Sequence, residues 1–308
     1  MMMDSVASRF PAFLPPETVE LVEPAALDLL SGLERRVVSV KLSAEPESSV
    51  ILSSMVCLGA FGTTQPPILL CHGFDSSVLE YRRLLPLLAA RREVWAIDLL
   101  GFGFTDRPEG LVFSQAALRA HLIALWEQLI GRPVVLVGAS MGGALAQSVA
   151  IARPEMVDRL VLLDSAGFVD KPWASRFLVS PLGQLATAIL ASPRVRQNVS
   201  RRAYADPDRC ATLDAYRCGA LHLKMPRWSE ALISFTQQGG CTITADRIAQ
   251  ITQPTLILWG DRDRILGTDL ALRFQQTLQN SQLVWVKNCG HVPHLEQPEF
   301  TAAKILAH

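Results

Sequence analysis

Four apolar residues, Val134, Val135, Leu136 and Val137, run directly into Gly138-Ala139-Ser140-Met141-Gly142 and on into a small-residue helical stretch, Gly143-Ala144-Leu145-Ala146-Gln147. A short apolar run of this kind suits a strand covered on both faces. To pass from it straight into a helix, the chain must bend within one or two residues, and the flanking glycines lack the side chains that would hold the two elements apart. Ser140, at the tip, is then displayed above the strand end and at the positive end of the helix. Two readings of the pentapeptide stand side by side. One is a serine presented as a nucleophile; the other is a glycine-rich turn whose serine caps a helix.

The surroundings bear on that choice. Strand-like runs at 37–42 and 50–58 precede the apolar strand Ile68-Leu69-Leu70-Cys71. Strands at 94–97, 134–137 and 160–163 follow, alternating with helical patterns at 78–91, 115–130 and 144–152. Ser77 with Glu80 three positions on reads as a capping box for the first of these helices. From 167 to 246 the strand rhythm stops and only helical patterns remain. It resumes at Thr255-Leu256-Ile257-Leu258-Trp259 and at Leu283-Val284-Trp285-Val286. Repeated strand–helix units imply a parallel sheet with helices on both faces, and the interruption implies a helical insertion over the strand ends. The predicted class is therefore α/β, a mostly parallel, doubly wound sheet with an inserted all-helical cap. Its parts are an N-terminal segment (1–35) with a helix near 25–33, a core (36–166 and 247–308) and a cap (167–246).

Composition narrows the partners. The 29 basic and 29 acidic residues balance, which argues against nucleic acid. Six cysteines without a CxxC spacing are expected as reduced core residues, Cys210 and Cys218 being the one pair near enough in sequence to reconsider. The first residues, broken by Pro11, Pro15 and Pro16, do not match a secretory leader. No apolar run reaches the roughly 18 residues of a membrane span. The nearest approach, 177–191, is broken by Pro181 and reads as a buried helix, with peripheral contact at a membrane surface as the weaker alternative. A cytoplasmic protein is expected.

In open sheets of this type ligands bind beyond the carboxyl ends of the strands. After Cys71 comes His72-Gly73-Phe74-Asp75, where a sharp turn at Gly73 would present the Phe74 amide to a developing negative charge. The Met141 amide would add a second donor, each worth roughly 3 to 4 kcal/mol. The His72 side chain is expected only to hydrogen-bond the backbone. After Trp259 the chain reads Gly260-Asp261-Arg262-Asp263-Arg264, and after Val286 it reads Asn288-Cys289-Gly290-His291-Val292-Pro293-His294. A serine hydroxyl needs an imidazole base, and the imidazole needs a carboxylate to fix its tautomer. Asp263, further into its loop, is the better acid than Asp261, which sits in the tight turn. His291 follows the flexible Gly290, whereas His294 and Glu296 would brace the loop. His291 and His294 with Asp261 or Asp263 match no common zinc spacing, so no metal or other cofactor is expected.

Taken together, Leu70 to Phe74, Asp98 to Asp106, Gly138 to Gly143, Leu258 to Asp263 and Gly290 to Pro298 resemble the α/β-hydrolase superfamily, in the branch with a helical cap, from about residue 37 onward. The resemblance implies Ser140 as nucleophile, Asp263 as acid, His291 as base, and Phe74 and Met141 as oxyanion donors. Serine at 140 disfavours the epoxide hydrolases and haloalkane dehalogenases of this fold, which use aspartate there. Val292 departs from the tryptophan that carbon–carbon bond hydrolases tend to carry after the base. Cofactor-free haloperoxidases, which act as perhydrolases, share the triad. His72-Gly73-Phe74-Asp75-Ser76-Ser77, with Trp95 to Gly101, is similar to hydrolases of cyanobacteria and chloroplasts, including chlorophyll dephytylases and pheophytinases.

The activity this implies is hydrolysis of a small-molecule or lipid-like carboxylic ester with an apolar group, through an acyl-enzyme. The alternatives are a perhydrolase, a carbon–carbon bond hydrolase, a phytyl ester hydrolase and a non-catalytic ligand receptor. Asp75, Trp173, Phe177, Trp228 and Val292 are the expected pocket residues.

Overall fold

The computed structural model describes residues 9–42, 48–168 and 182–308. Its frame is an eight-stranded sheet: β1 (Glu34–Val40), β2 (Ser49–Leu58), β3 (Ile68–Cys71), β4 (Val94–Ile97), β5 (Val134–Ala139), β6 (Val157–Leu163), β7 (Thr255–Gly260) and β8 (Ser281–Val286). The spatial order is β1-β2-β4-β3-β5-β6-β7-β8. β2 pairs antiparallel with both β1 and β4, and every other pairing is parallel.

Every residue of β3, β4, β5 and β7 is buried, as continuous apolar runs require when helices cover both faces. Alternate residues feed two separate cores. Leu69, Cys71, Val134 and Leu136 join Leu118, Leu122, Leu145 and Phe274 on one face. Ile68, Leu70, Val135 and Val137 join Leu30, Leu84, Leu88 and Ile305 on the other. The edge strand β1 instead exposes Val37 and Ser39 and buries Val38 and Val40, the period of a half-covered strand.

Two expected helices differ in detail. The 78–91 segment is a short turn, Val78–Tyr81, followed by a separate helix, Leu85–Ala89, because Pro86 lacks the amide needed to continue the first and suits the start of the second. Ser77 does cap the turn, accepting from the Leu79 amide, but Glu80 bonds Gly73 rather than closing a capping box. The helix Gln115–Leu125 widens into a final turn, Trp126–Ile130, and stops at Gly131 with φ of 65°.

Among the described residues no strand lies between β6 and β7. The cap there comprises the helices Leu182–Ala191, Pro193–Ala203, Leu213–Ala220 and Trp228–Gln237. Gly183 and Thr187 of its first helix are buried, yet Leu185 is 60% and Ile189 53% exposed, so the expectation of a buried helix is corrected for this part to one buried on one side. The N-terminal segment ties both parts together. Glu23 bridges Arg82 and Arg83 at 2.8 and 2.6 Å, and the amides of Val22 and Glu23 donate to Asp214 of the cap. All six cysteines are free, Cys210 and Cys218 included.

Candidate active site

The bend after β5 is as tight as its glycines suggest. A Cβ on Gly142 would lie 2.1 Å from the Cys71 carbonyl oxygen, and one on Gly138 would lie 2.4 Å from that of Gly142. Only bare backbone lets the helix start so close to β3 and β5. Ser140 is forced to φ 49° and ψ −117°, a strained conformation for a residue with a side chain. Its amide donates to Leu163 and its carbonyl accepts from Ala166, so the end of β6 holds the bend in place. The side chain caps nothing in the helix that follows, which separates this turn from an ordinary serine cap.

The loops after β3, β7 and β8 converge on this point. Asp263 Oδ2 lies 3.0 Å from His291 Nδ1, while Asp263 Oδ1 accepts the amides of Ile265 at 2.7 Å and Leu266 at 3.2 Å. Asp261 lies apart: it accepts from the Cys289 amide and faces Lys287. The His291 loop is fixed by its own main chain, with the Gly290 amide on Glu296 at 2.7 Å and the His291 amide on the Ala203 carbonyl at 2.7 Å. Glu296 braces the loop, as expected. His294 instead turns to Glu80, with Nε2 3.0 Å from Oε1. The residues weighed as a metal set are thus split between two places.

The loop after β3 passes directly over the bend, since a Cβ on Gly73 would lie 3.5 Å from Ser140 Cβ. His72 is fully buried, with Nδ1 2.8 Å from the Gly73 carbonyl and Nε2 accepting the Leu99 amide at 3.1 Å. Its role is backbone support. The Gly73 amide donates to Glu80 at 2.8 Å. Burial alone would raise the Glu80 carboxyl, but the adjacent His294 ring and the Gly73 amide bring it down to about 2. With Gly73 engaged, Phe74 carries the next amide. Among the described residues, neither Phe74 N nor Met141 N donates to a turn, loop or side-chain acceptor.

Four neighbours escaped sequence reasoning. Asp164, fully buried at the end of β6, accepts the Gly260 amide at 2.9 Å, and its carboxylate reaches within 4.8 Å of both Asp263 and His291. Burial, with the charge of Asp263 beside it, pushes its carboxyl well above the usual range. Its position at a strand's carboxyl end was the available signal. In sequence, Glu80 carries only the signal of a cap residue. Arg196 and His222 belong to the cap, and nothing local in the sequence marks them as partners of Asp75, to which both bond.

A cavity of about 460 Å³ opens between cap and sheet, and both Ser140 and His291 line it. Its apolar wall includes Leu190, Val195, Val199 and Ile265. Phe74, Asp75 and Val292 also line it. Trp228 does not: its ring is buried and its Nε1 donates to Asp75 at 2.8 Å, because an indole that leaves water needs an acceptor. Trp173 and Phe177 lie outside the described residues.

This arrangement of sheet, bend and loops is that of a hydrolase fold, and the chain belongs to the alpha/beta hydrolase family, whose model matches residues 68–304. It is 33% identical over 291 residues to the alpha/beta hydrolase domain-containing protein VTE7 of Arabidopsis thaliana, covering 94% of this chain and 87% of that one. It is 31% identical over 242 residues to the 2-hydroxy-6-oxo-2,4-heptadienoate hydrolase of Pseudomonas putida, covering 75% and 84% of the two chains. Superposition on a thermophilic esterase from Thermogutta terrifontis gives a TM-score of 0.73 at 23% identity, covering 89% of this chain and 97% of that one, which shows the shared fold. Among the described residues no helix is long and apolar enough to cross a membrane.

Proposed function

We propose that this hydrolase cleaves a carboxylic ester with an apolar group, using Ser140 as nucleophile, His291 as base and Asp263 as its orienting carboxylate. The observation that carries the reading is the 3.0 Å pair of His291 Nδ1 and Asp263 Oδ2 at the edge of the cavity that Ser140 lines. A carboxylate on Nδ1 keeps the proton there and leaves Nε2 free to take one from the serine hydroxyl. Ser140 then attacks the ester carbonyl, and the carbonyl oxygen takes up negative charge. The Phe74 and Met141 amides are the two donors placed to receive it. His291 returns the proton to the leaving alcohol, and water, deprotonated by the same ring, releases the acid from Ser140.

The wall of Leu190, Val195, Val199 and Ile265 favours a hydrophobic acyl or alcohol group in a cavity of a size ordinary for small ligands. Phytyl-type esters belong to this class, and the Asp75-Ser76-Ser77 loop motif supports them. The exposed Leu185 and Ile189 favour collecting such esters at a lipid surface, which vesicle flotation tests. Ser140→Ala should abolish hydrolysis of short nitrophenyl esters, and a fluorophosphonate should label wild-type Ser140. Retained hydrolysis in Ser140→Ala would refute the assignment, and an unlabelled serine would favour a receptor. A series of esters of graded length, a phytyl ester included, sets the substrate.

A second reading, carbon–carbon bond hydrolysis, is favoured by the similarity to the Pseudomonas putida hydrolase. Loss of dienoate absorbance on a vinylogous diketone substrate, outpacing every ester, would select it.

A further inference from the structure

Asp75 follows Phe74, the proposed oxyanion donor, and is held at φ 49°. Its carboxylate is buried and fully engaged by side chains from three separate parts of the cap. Oδ1 lies 3.1 Å from His222 Nε2 and accepts from Trp228 Nε1 at 2.8 Å, and Oδ2 accepts from Arg196 Nη1 at 2.7 Å. Burial alone would raise this carboxyl, but the bonds of His222 and Trp228 and the charge of Arg196 hold it below its usual range. Arg196 also grips the main chain, donating to the Asp75 carbonyl at 3.3 Å and the Gly219 carbonyl at 2.9 Å.

The loop is thereby pinned on both sides of Phe74. Upstream, Glu80 holds the Gly73 amide and His72 holds the Gly73 carbonyl. Downstream, Arg196 holds the Asp75 carbonyl and carboxylate. Between them the Phe74 amide keeps no internal acceptor among the described residues. The helix that supplies Arg196, Pro193–Ala203, also ends on the base loop, where Ala203 accepts the His291 amide. One cap helix therefore touches the oxyanion loop near one end and the base loop at the other.

We propose that Asp75 is a positioning residue for the oxyanion hole: through its pair with Arg196, supported by His222 and Trp228, the seated cap fixes the Phe74 amide in its donating orientation. This rests on the ester hydrolase reading above. The cap then acts on the rate of the chemical step as well as on substrate choice, because a donor misplaced by a fraction of an ångström stabilises the charged intermediate less.

The test compares Asp75→Asn, Arg196→Met and Arg196→Lys with Arg217→Met, which breaks a different cap contact, the pair with Glu20. The readouts are kcat and KM on a short nitrophenyl ester, and inhibition by an alkyl boronic acid, whose tetrahedral adduct places an oxygen in the oxyanion hole. Asp75→Asn and Arg196→Met should lower kcat by about 10- to 100-fold and weaken the boronic acid by a similar factor, with KM within about threefold. Arg196→Lys should recover most of the loss, and Arg217→Met should behave as wild type. Boronic acid affinity within about twofold of wild type in Arg196→Met, or a loss confined to KM, overturns the proposal. If Asp75→Asn fails to fold, the two Arg196 variants decide, since they leave the loop's own residues intact. Fluorophosphonate labelling separates the two levels. An unlabelled wild type overturns the hydrolase reading and this proposal with it, whereas a labelled wild type with unaffected variants overturns positioning alone.

Discussion

Oε1 of Glu80 lies 3.0 Å from Nε2 of His294, linking the loop after β3 to the loop after β8 beneath the proposed oxyanion site. The Glu80 side chain is only 9% exposed, and its other oxygen holds the Gly73 amide. Because the folded carboxyl titrates near 2 against an ordinary 4.5, its stabilising contribution is complete above about pH 4.5 and is lost as pH falls through about 2. Glu80→Gln should therefore lower the thermal midpoint at pH 7, and the gap from wild type should close between pH 4.5 and 2. A gap independent of pH would show that the charge contributes nothing.

His121 gives a second pH signature in a more accessible range. The ring is fully buried against Ser53 Oγ at 2.6 Å, and burial brings its titration down from 6.5 to about 4. The unfolded chain then binds a proton that the folded one refuses. Stability should fall as pH drops from about 6.5 to 4, by on the order of 3 kcal/mol, and level off below. Urea midpoints of wild type and His121→Asn measured across this range check the prediction, the variant showing the shallower slope.

The two buried carboxyls under His291 should respond in opposite ways. Asp263→Asn, which presents the wrong partner to Nδ1, should reduce kcat by about 10³- to 10⁴-fold. Burial and the neighbouring charge of Asp263 push the Asp164 carboxyl well above its ordinary 3.8, so whatever it contributes to stability is fully present below that value and is lost as pH rises. Asp164→Asn keeps an acceptor for the Gly260 amide and removes a proton-dependent cost. It should leave kcat within about threefold of wild type and match or exceed its stability at pH 7. A deep loss of kcat in Asp164→Asn would make it a second acid.

The main features of this fold were legible because they are local. Continuous apolar runs marked β3 and β5, glycines marked the bend, and chain position favoured Asp263 over Asp261. The pairs Asp75–Arg196, Asp75–His222 and Glu80–His294 were not legible, since each joins residues more than a hundred positions apart. Trp228 was misplaced for the same reason. An aromatic in a cap helix looks alike in sequence whether it faces a cavity or reaches for a buried carboxylate. Pro86 is visible in the sequence, but the apolar periodicity on both sides of it continues as though one helix ran through, so its splitting of the segment is not.

Val195 lies on the cavity wall without bonding to the proposed catalytic groups. Val195→Trp should reduce kcat/KM for long-chain esters by about tenfold or more while leaving the shortest within about threefold, shifting the chain-length optimum downward. Uniform loss across the series would place the apolar group elsewhere.

Gly142→Ala is expected to prevent folding rather than alter kinetics. The added methyl would overlap the Cys71 and His72 carbonyl oxygens, which belong to main chain at the carboxyl end of the central strand β3 and cannot swing aside. A loss of about 4 kcal/mol or more, read as absent soluble protein or a collapsed melting transition, checks this.

That crowding has a wider meaning. The kink at position 140 is imposed by main-chain neighbours on every side, and the hydroxyl itself takes no share in holding it. The proposed nucleophile is thus mounted on its scaffold like an interchangeable tip. A thiol or a carboxylate set there would inherit the same geometry, so the bond this molecule can break is open to redesign without rebuilding the foundation beneath it.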